Sequence, residues 1–253
     1  MAALGREQGD YNGAMRVLPV IDLMHGQVVR GIAGLRHQYQ PIRSSLTAST
    51  EPLAVAEAFR DHFGLTNLYV ADLGAIDGES PSLATFNALQ ERGFTLLIDA
   101  GLRMAADALP LLDVGVAGLV AGLETLAGPE VLAALVESVG PARIVFSLDM
   151  KEHRPLGAVA WPARDAFAIA SNAIGLGTRR MLVLDLAHVG TGRGTGTEDI
   201  CRQLKQAWPD VEVLAGGGVR GREDLQRLRL CGIDRVLLAS ALHDGTLRRQ
   251  DVD

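Results

Sequence analysis

The sequence predicts a single (β/α)8 TIM barrel, and three observations carry that prediction. The chain has 253 residues, close to the roughly 250 that such a barrel typically needs. Short apolar runs alternate along it with helix-like stretches. The first four runs are echoed in order by the last four, as expected of a barrel built from two half-barrel repeats.

The first apolar run is Val17–Leu23, followed by a helix over Pro52–Phe63. Leu68–Leu73 and the helix Ser82–Arg92 come next, then Thr95–Ala100, then Gly118–Gly122 with the helix Pro129–Val139. The second half reads Arg143–Met150, helix Ala163–Ile174, Arg180–Leu186, helix Thr197–Trp208, Val211–Ala215, helix Arg222–Cys231 and Arg235–Ser240. The strand candidates are apolar throughout rather than alternating, which suits parallel strands covered on both faces. Strand–helix alternation implies a parallel sheet, closed or open, and the repeat argues for closure. Val17–Leu23 echoes Ile144–Met150 and pairs Asp22 with Asp149. Leu68–Leu73 echoes Leu182–Leu186 and pairs Asp72 with Asp185. Leu97–Arg103 echoes Leu214–Arg220, and Leu119–Gly122 echoes Leu237–Ser240. An open doubly wound sheet has no need of this repeat, and no Gly-x-Gly-x-x-Gly pattern follows the first strand.

Apolar residues make up 48% of the chain and charged residues 21%, values of a soluble globular protein. A net charge of −6 argues against nucleic acid as a partner, since that needs a basic face. A small anion is still compatible, because a few backbone amides suffice to hold one. No apolar run approaches the roughly 20 residues of a membrane span. Residues 1–14 lack the apolar core of a signal peptide and read as a flexible leader before a barrel over 15–253. Cys201 and Cys231 read as reduced thiols of a cytoplasmic protein. The oligomeric state is not legible.

Active sites of this fold lie at the C-terminal ends of the strands, where Asp22, Asp72, Asp149 and Asp185 all stand. Two readings are open for each: proton transfer, if the surroundings raise its pKa toward the working pH, or capping of the turn that follows. For the symmetric pair Asp22 and Asp149 the catalytic reading is favoured, and Asp185 is the third catalytic candidate. The anion signal is Gly216-Gly217-Gly218-Val219-Arg220 after strand seven, with Ala239 and Ser240 after strand eight. Missing side chains let backbone N–H groups approach a phosphate there, and these two loops are the usual phosphate site of the fold. The corresponding N-terminal loop carries Asp99 and Ala100 in place of two glycines, and Glu124 follows strand four. These carboxylates oppose a second anion. The expected ligand is therefore a small, singly phosphorylated substrate.

Auxiliary candidates are Lys151, just past Asp149, and His188, three residues after Asp185. Lys151 is read as a surface lysine that pairs with a phosphate or with Glu152. His25 and His188 lack a closely spaced third ligand, so no metal is expected, and no cofactor is called for. The glycine-rich stretch Val189–Gly196 reads either as a flap over the ligand or as a flexible surface loop.

Val17-Leu-Pro-Val-Ile-Asp-Leu-Met-His-Gly-Gln-Val-Val-Arg30, the half-barrel repeat and the two late loops resemble the histidine-biosynthesis barrel isomerases, the phosphoribosyl-formimino-AICAR isomerase family. The resemblance runs from Met15 over nearly the whole chain. It implies two symmetric phosphate sites and an Amadori rearrangement run by an aspartate after strand one and another in the strand-six loop. Asp22 matches the first, and Asp149 matches an important strand-five aspartate. The family's strand-six motif reads roughly Asp-Gly-Thr, whereas this chain has Val189-Gly190-Thr191. Valine transfers no proton, so the family reaction is expected to be poor. The stretch Val28–Ile42 further resembles a side branch associated with methanogens and with bacteria that use tetrahydromethanopterin and methanofuran. That resemblance implies a role near one-carbon carriers.

Overall fold

Apolar side chains on both faces of every strand decide the architecture. The computed structural model describes residues 15–252. Its parallel strands are β1 (Arg16–Met24), β2 (Asn67–Asp72), β3 (Thr95–Asp99), β4 (Gly118–Gly122), β5 (Ile144–Lys151), β6 (Arg180–Asp185), β7 (Glu212–Gly216) and β8 (Arg235–Leu238). Each pairs with the next, and β8 returns to β1 with Val17 opposite Val236, so the sheet closes. Behind the strands, in order, lie α1 (Pro52–Phe63), α2 (Leu83–Glu91), α3 (Leu109–Val114), α4 (Pro129–Val139), α5 (Ala166–Gly175), α6 (Glu198–Ala207), α7 (Arg222–Leu230) and α8 (Arg249–Val252). This is a (β/α)8 barrel.

The period of two along each strand splits the core into two shells. Ile144, Phe146 and Leu148 of β5 pack outward under the helices. Val145 points inward, together with Leu18, Tyr69, Leu97, Val120, Leu182, Leu214 and Leu237. Both shells exclude water, which is why the strands read as continuous apolar runs. Each fully buried Leu or Val contributes about 1.5–3 kcal/mol relative to its exposed state. The inward shell packs the barrel interior beneath its C-terminal mouth.

Two strands run on past the barrel. β1 turns at His25-Gly26 into Gln27–Arg30, which pairs back on it and then with Gln40–Pro41. β5 turns at Glu152-His153 into Arg154–Pro155. These hairpins, not anticipated from sequence, build one side of the mouth. The helix expected to start at Ala163 begins instead at Ala166, because the Asp165 carboxylate accepts the Ala168 N–H at 2.8 Å and caps it there. The run expected to continue as strand to Ser240 ends at Leu238, and Ser240–His243 forms a short helix. The short α3 was not read from sequence. Cys201 and Cys231 are buried and free. No described helix is long and apolar enough to cross a membrane. The stretch 1–14, expected as a leader, lies outside the described residues.

Candidate active site

Strand parity places three carboxylates in the mouth. Asp22 follows the inward Leu18 and Val20 on β1, Asp99 follows Leu97 on β3, and Asp149 follows Val145 and Ser147 on β5. All three line one cavity of about 690 Å³, together with Tyr39, Tyr69, Glu124, Lys151 and Val189. The late loops meet the same cavity through Gly217, Gly218, Ala239 and Ser240.

The three carboxylates differ in their surroundings. Asp22 accepts the Gly31 N–H, and its removal from water pushes its pKa up to about 6. Gly31 lies so close that a Cβ there would stand 2.9 Å from Asp22 Oδ2 and 3.3 Å from Val189 Cγ1. Asp99 is also pushed up to about 6 by burial, against the pull of its bond from Gly101 N–H. Tyr69 donates its hydroxyl to Asp99 Oδ2 at 3.2 Å. Asp149 is 6% exposed; burial first, and the Glu124 charge next, hold it well above the usual carboxylate range. Ser147 Oγ donates to its Oδ1 at 2.6 Å. Burial, and then the charges of Asp99, Asp149 and Asp22, raise the Tyr69 phenol well above its ordinary value. Tyr39 is pushed up to about 12 by burial and by Asp22. Burial thus raises both carboxyls above the ordinary carboxylate range, Asp22 to about 6 and Asp149 well upward. Two carboxyls with raised pKa in one cavity can exchange protons with a substrate, one as base and one as acid.

The half-barrel repeat survives in the loops but diverges in what it leaves open. Arg103 N–H donates to Asp107 and Arg220 N–H to Asp224, each at 2.8 Å and each four residues on. In the C-terminal half Gly217 and Gly218 take φ of 85° and 76°, values that favour glycine. A Cβ on Gly218 would lie 2.5 Å from Gly194 O and 2.6 Å from His188 O. In the N-terminal half the Arg103 guanidinium donates to Gly101 O and Ile76 O, and Arg36 pairs with both Asp77 and Glu124. Arginine–carboxylate pairs stand on that side of the mouth, with Asp99 beneath them.

The remaining candidates are placed as follows. Asp185, the third catalytic candidate by sequence, is turned outward by strand parity, with Leu182 facing the axis. Its carboxylate is 0% exposed and accepts N–H groups from Glu152, His153 and Ala187 at 3.0, 2.7 and 3.0 Å. Asp72 does the same on β2, accepting Ala75 and Ser82 N–H groups. The two form a symmetric pair of scaffold carboxylates and are not brought together with Asp22 and Asp149. His188 is half-buried rather than solvent-facing, with Nδ1 2.7 Å from Gly194 O. Lys151 is exposed on the cavity rim. The glycine-rich loop is docked on both sides: Ala33 N–H donates to Val189 O, and Gly194 N–H to Gly218 O. Sequence reasoning treated Asp99 only as an obstacle to phosphate and missed Tyr39, Tyr69 and Arg36. The alternation Leu97-Ile98-Asp99 was the available signal for the first.

Comparison with known proteins finds relatives over nearly the whole chain. The family described as "Histidine biosynthesis protein" matches residues 16–248. A protein of uncharacterised function from Methanocaldococcus jannaschii is 31% identical, over 94% of this chain and 97% of its own. The 1-(5-phosphoribosyl)-5-((5-phosphoribosylamino)methylideneamino)imidazole-4-carboxamide isomerase of Deinococcus radiodurans is 30% identical, over 92% of this chain and 95% of its own. An isomerase of the same name from Thermus thermophilus is 28% identical, over 94% and 98%.

Proposed function

The chain belongs to the histidine biosynthesis protein family, and from that premise we propose that it is an isomerase or lyase acting on a small, singly phosphorylated sugar or heterocycle. The observation that carries this reading is the convergence of Asp22 and Asp149, both raised by burial, in one cavity that also meets the Gly217–Gly218 loop. The phosphate sits against the backbone of Gly217, Gly218, Ala239 and Ser240, where small residues let N–H groups approach. Lys151 on the rim adds a compensating positive charge. Asp22 takes a proton from the substrate carbon, and Asp149 supplies one to the leaving or rearranging heteroatom. Asp185 serves as scaffold and takes no part in proton transfer. The resemblance of Val28–Ile42 to the one-carbon side branch supports a substrate from methanofuran or tetrahydromethanopterin metabolism.

The cradle is tested with inorganic phosphate followed by NMR. Addition is expected to shift the amides of Gly217, Gly218, Ala239 and Ser240, and Ser240→Asp, which puts a negative charge there, is expected to abolish the response. Equal binding by a folded Ser240→Asp protein removes the cradle. The poise of the acid–base pair is checked without any substrate, by following the side-chain carboxyl carbons against pH. Asp22 is expected to titrate near pH 6, about two units above an ordinary aspartate, and Asp149 is expected to be raised well above an ordinary aspartate too. Titration of both near pH 4 would leave no acid in the site at neutral pH and overturn the assignment.

A further inference from the structure

We propose that His153, Asp185 and His188 form a binding site for one divalent transition-metal ion, set between the β5 hairpin and the loop after β6. Each residue brings one ligand atom to within 4.8 Å of the other two. The trio belongs to no motif: His153 lies 32 residues before Asp185, and only the pairing of β5 with β6 brings them together. Two imidazoles and one carboxylate suit zinc or ferrous iron, with the remaining positions left to water.

The cluster is held in place before any ion arrives. Asp185 is completely buried, and its two oxygens accept three backbone N–H bonds. A carboxylate offers about four acceptor positions, so it keeps capacity for a ligand bond. Among the described residues its one ion-pair partner is the His153 ring, with Nδ1 3.6 Å from Oδ2. His153 itself is 68% exposed, so an ion reaches the cluster from solvent. The ring stands on a turn in which Glu152 and His153 take φ of 52° and 63°, a conformation non-glycine residues rarely adopt. Both N–H groups of that turn bind the Asp185 carboxylate. His188 is fixed by the contact of its Nδ1 with Gly194 O. With the proton on Nδ1, Nε2 keeps its lone pair, and a backbone carbonyl behind the ring is a common arrangement for a ligating histidine.

The ion's place explains what it would do. Lys151 precedes the strained turn, and Val189, Gly190 and Gly192 follow His188; all four line the cavity. A metal bonded to both histidines would tie the two loops together beside the mouth. The three ligands lie outside the acid–base pair, so the ion's binding stands whether or not the proposed reaction is right.

The test is a calorimetric titration of chelator-treated full-length protein with Zn²⁺ at pH 7.5, repeated with Co²⁺ and read by visible absorption. One ion per chain is expected, with a rise in melting temperature. His153→Asn, which tolerates the left-handed backbone, and His188→Ala are each expected to weaken binding roughly tenfold or more. His25→Asn, in an exposed turn away from the cluster, is expected to leave it unchanged. Thermal melts without metal establish that each variant is folded. No saturable binding by the wild type, or equal binding by the folded His153→Asn and His188→Ala proteins, overturns the site.

Discussion

Asp22→Asn is expected to lose about 10²–10⁴-fold in turnover, the usual cost of removing a general base, and yet to melt at a higher temperature than the wild type. Asparagine nearly matches aspartate in shape but accepts no proton at neutral pH. The gain in stability follows from linkage. The folded-state pKa of Asp22 is raised to about 6, so the native protein binds this proton more tightly than the unfolded chain does. The stabilisation from the protonated group is complete below the unfolded pKa near 4 and is lost as pH rises through about 6. At pH 7.5 the ionised carboxylate therefore burdens the fold by about 1–3 kcal/mol, and a neutral amide removes that burden. The rise in melting temperature should be largest above pH 7 and should shrink toward pH 4. Melting curves at pH 7.5 and 4.5 check this part without knowledge of the substrate. A variant that is less stable at pH 7.5 overturns the raised pKa of Asp22, and one that retains near-normal turnover of the substrate, once that is known, takes Asp22 out of the mechanism.

The second large effect concerns the reaction of the named relatives. Purified wild-type protein is expected to isomerise their phosphoribosyl intermediate poorly, roughly 10²–10⁴-fold below a family enzyme, or by about 3–5 kcal/mol of barrier. The family reaction implies an acid in the loop after β6, and Val189 stands there. Its Cγ1 reaches the space beside Gly31 that Asp22 Oδ2 borders from the other side. A carboxylate at 189 would face Asp22 across the narrow part of the mouth. His188 does not substitute for it: the ring is held at Gly194 O, packs against Gly196, and is absent from the cavity wall. Binding is expected to suffer as well, because Asp99 and the Arg36–Glu124 pair occupy the side where a second phosphate would need free donors. A steady-state assay of wild type beside Val189→Asp decides the matter. A wild-type kcat/KM of about 10⁴ M⁻¹s⁻¹ or more would sink the expectation and restore the histidine-pathway reading. A clear gain in Val189→Asp would show that the rest of the isomerase machinery is intact; no change would place the obstacle in the altered phosphate side. Complementation of a strain lacking the isomerase should follow the same order.

What the sequence by itself determined is the barrel and its twofold internal plan. Strands buried on both faces must be apolar throughout, and a repeated order of such strands has one economical closed arrangement. The same plan put Asp22 and Asp149 at matching strand ends, and a period of two along β1 and β5 turns both inward. What only the tertiary structure decided is which of the other strand-end residues share that cavity. Asp72 and Asp185 stand at equivalent strand ends, but one step out of register with the inward shell, so their carboxylates hold backbone N–H groups instead. That one-residue difference depends on where each strand enters the sheet, and apolar runs mark strand ends only loosely. Arg36 and Tyr39 reach the cavity, and His153 the cluster beside it, on excursions whose turns at His25-Gly26 and Glu152-His153 lack a strong local signature, three of these four residues being non-glycine at positive φ. Local propensity disfavours that conformation, so only the long-range pairing of the surrounding strands, and the Asp185 carboxylate beneath the second turn, supplies the energy that holds it.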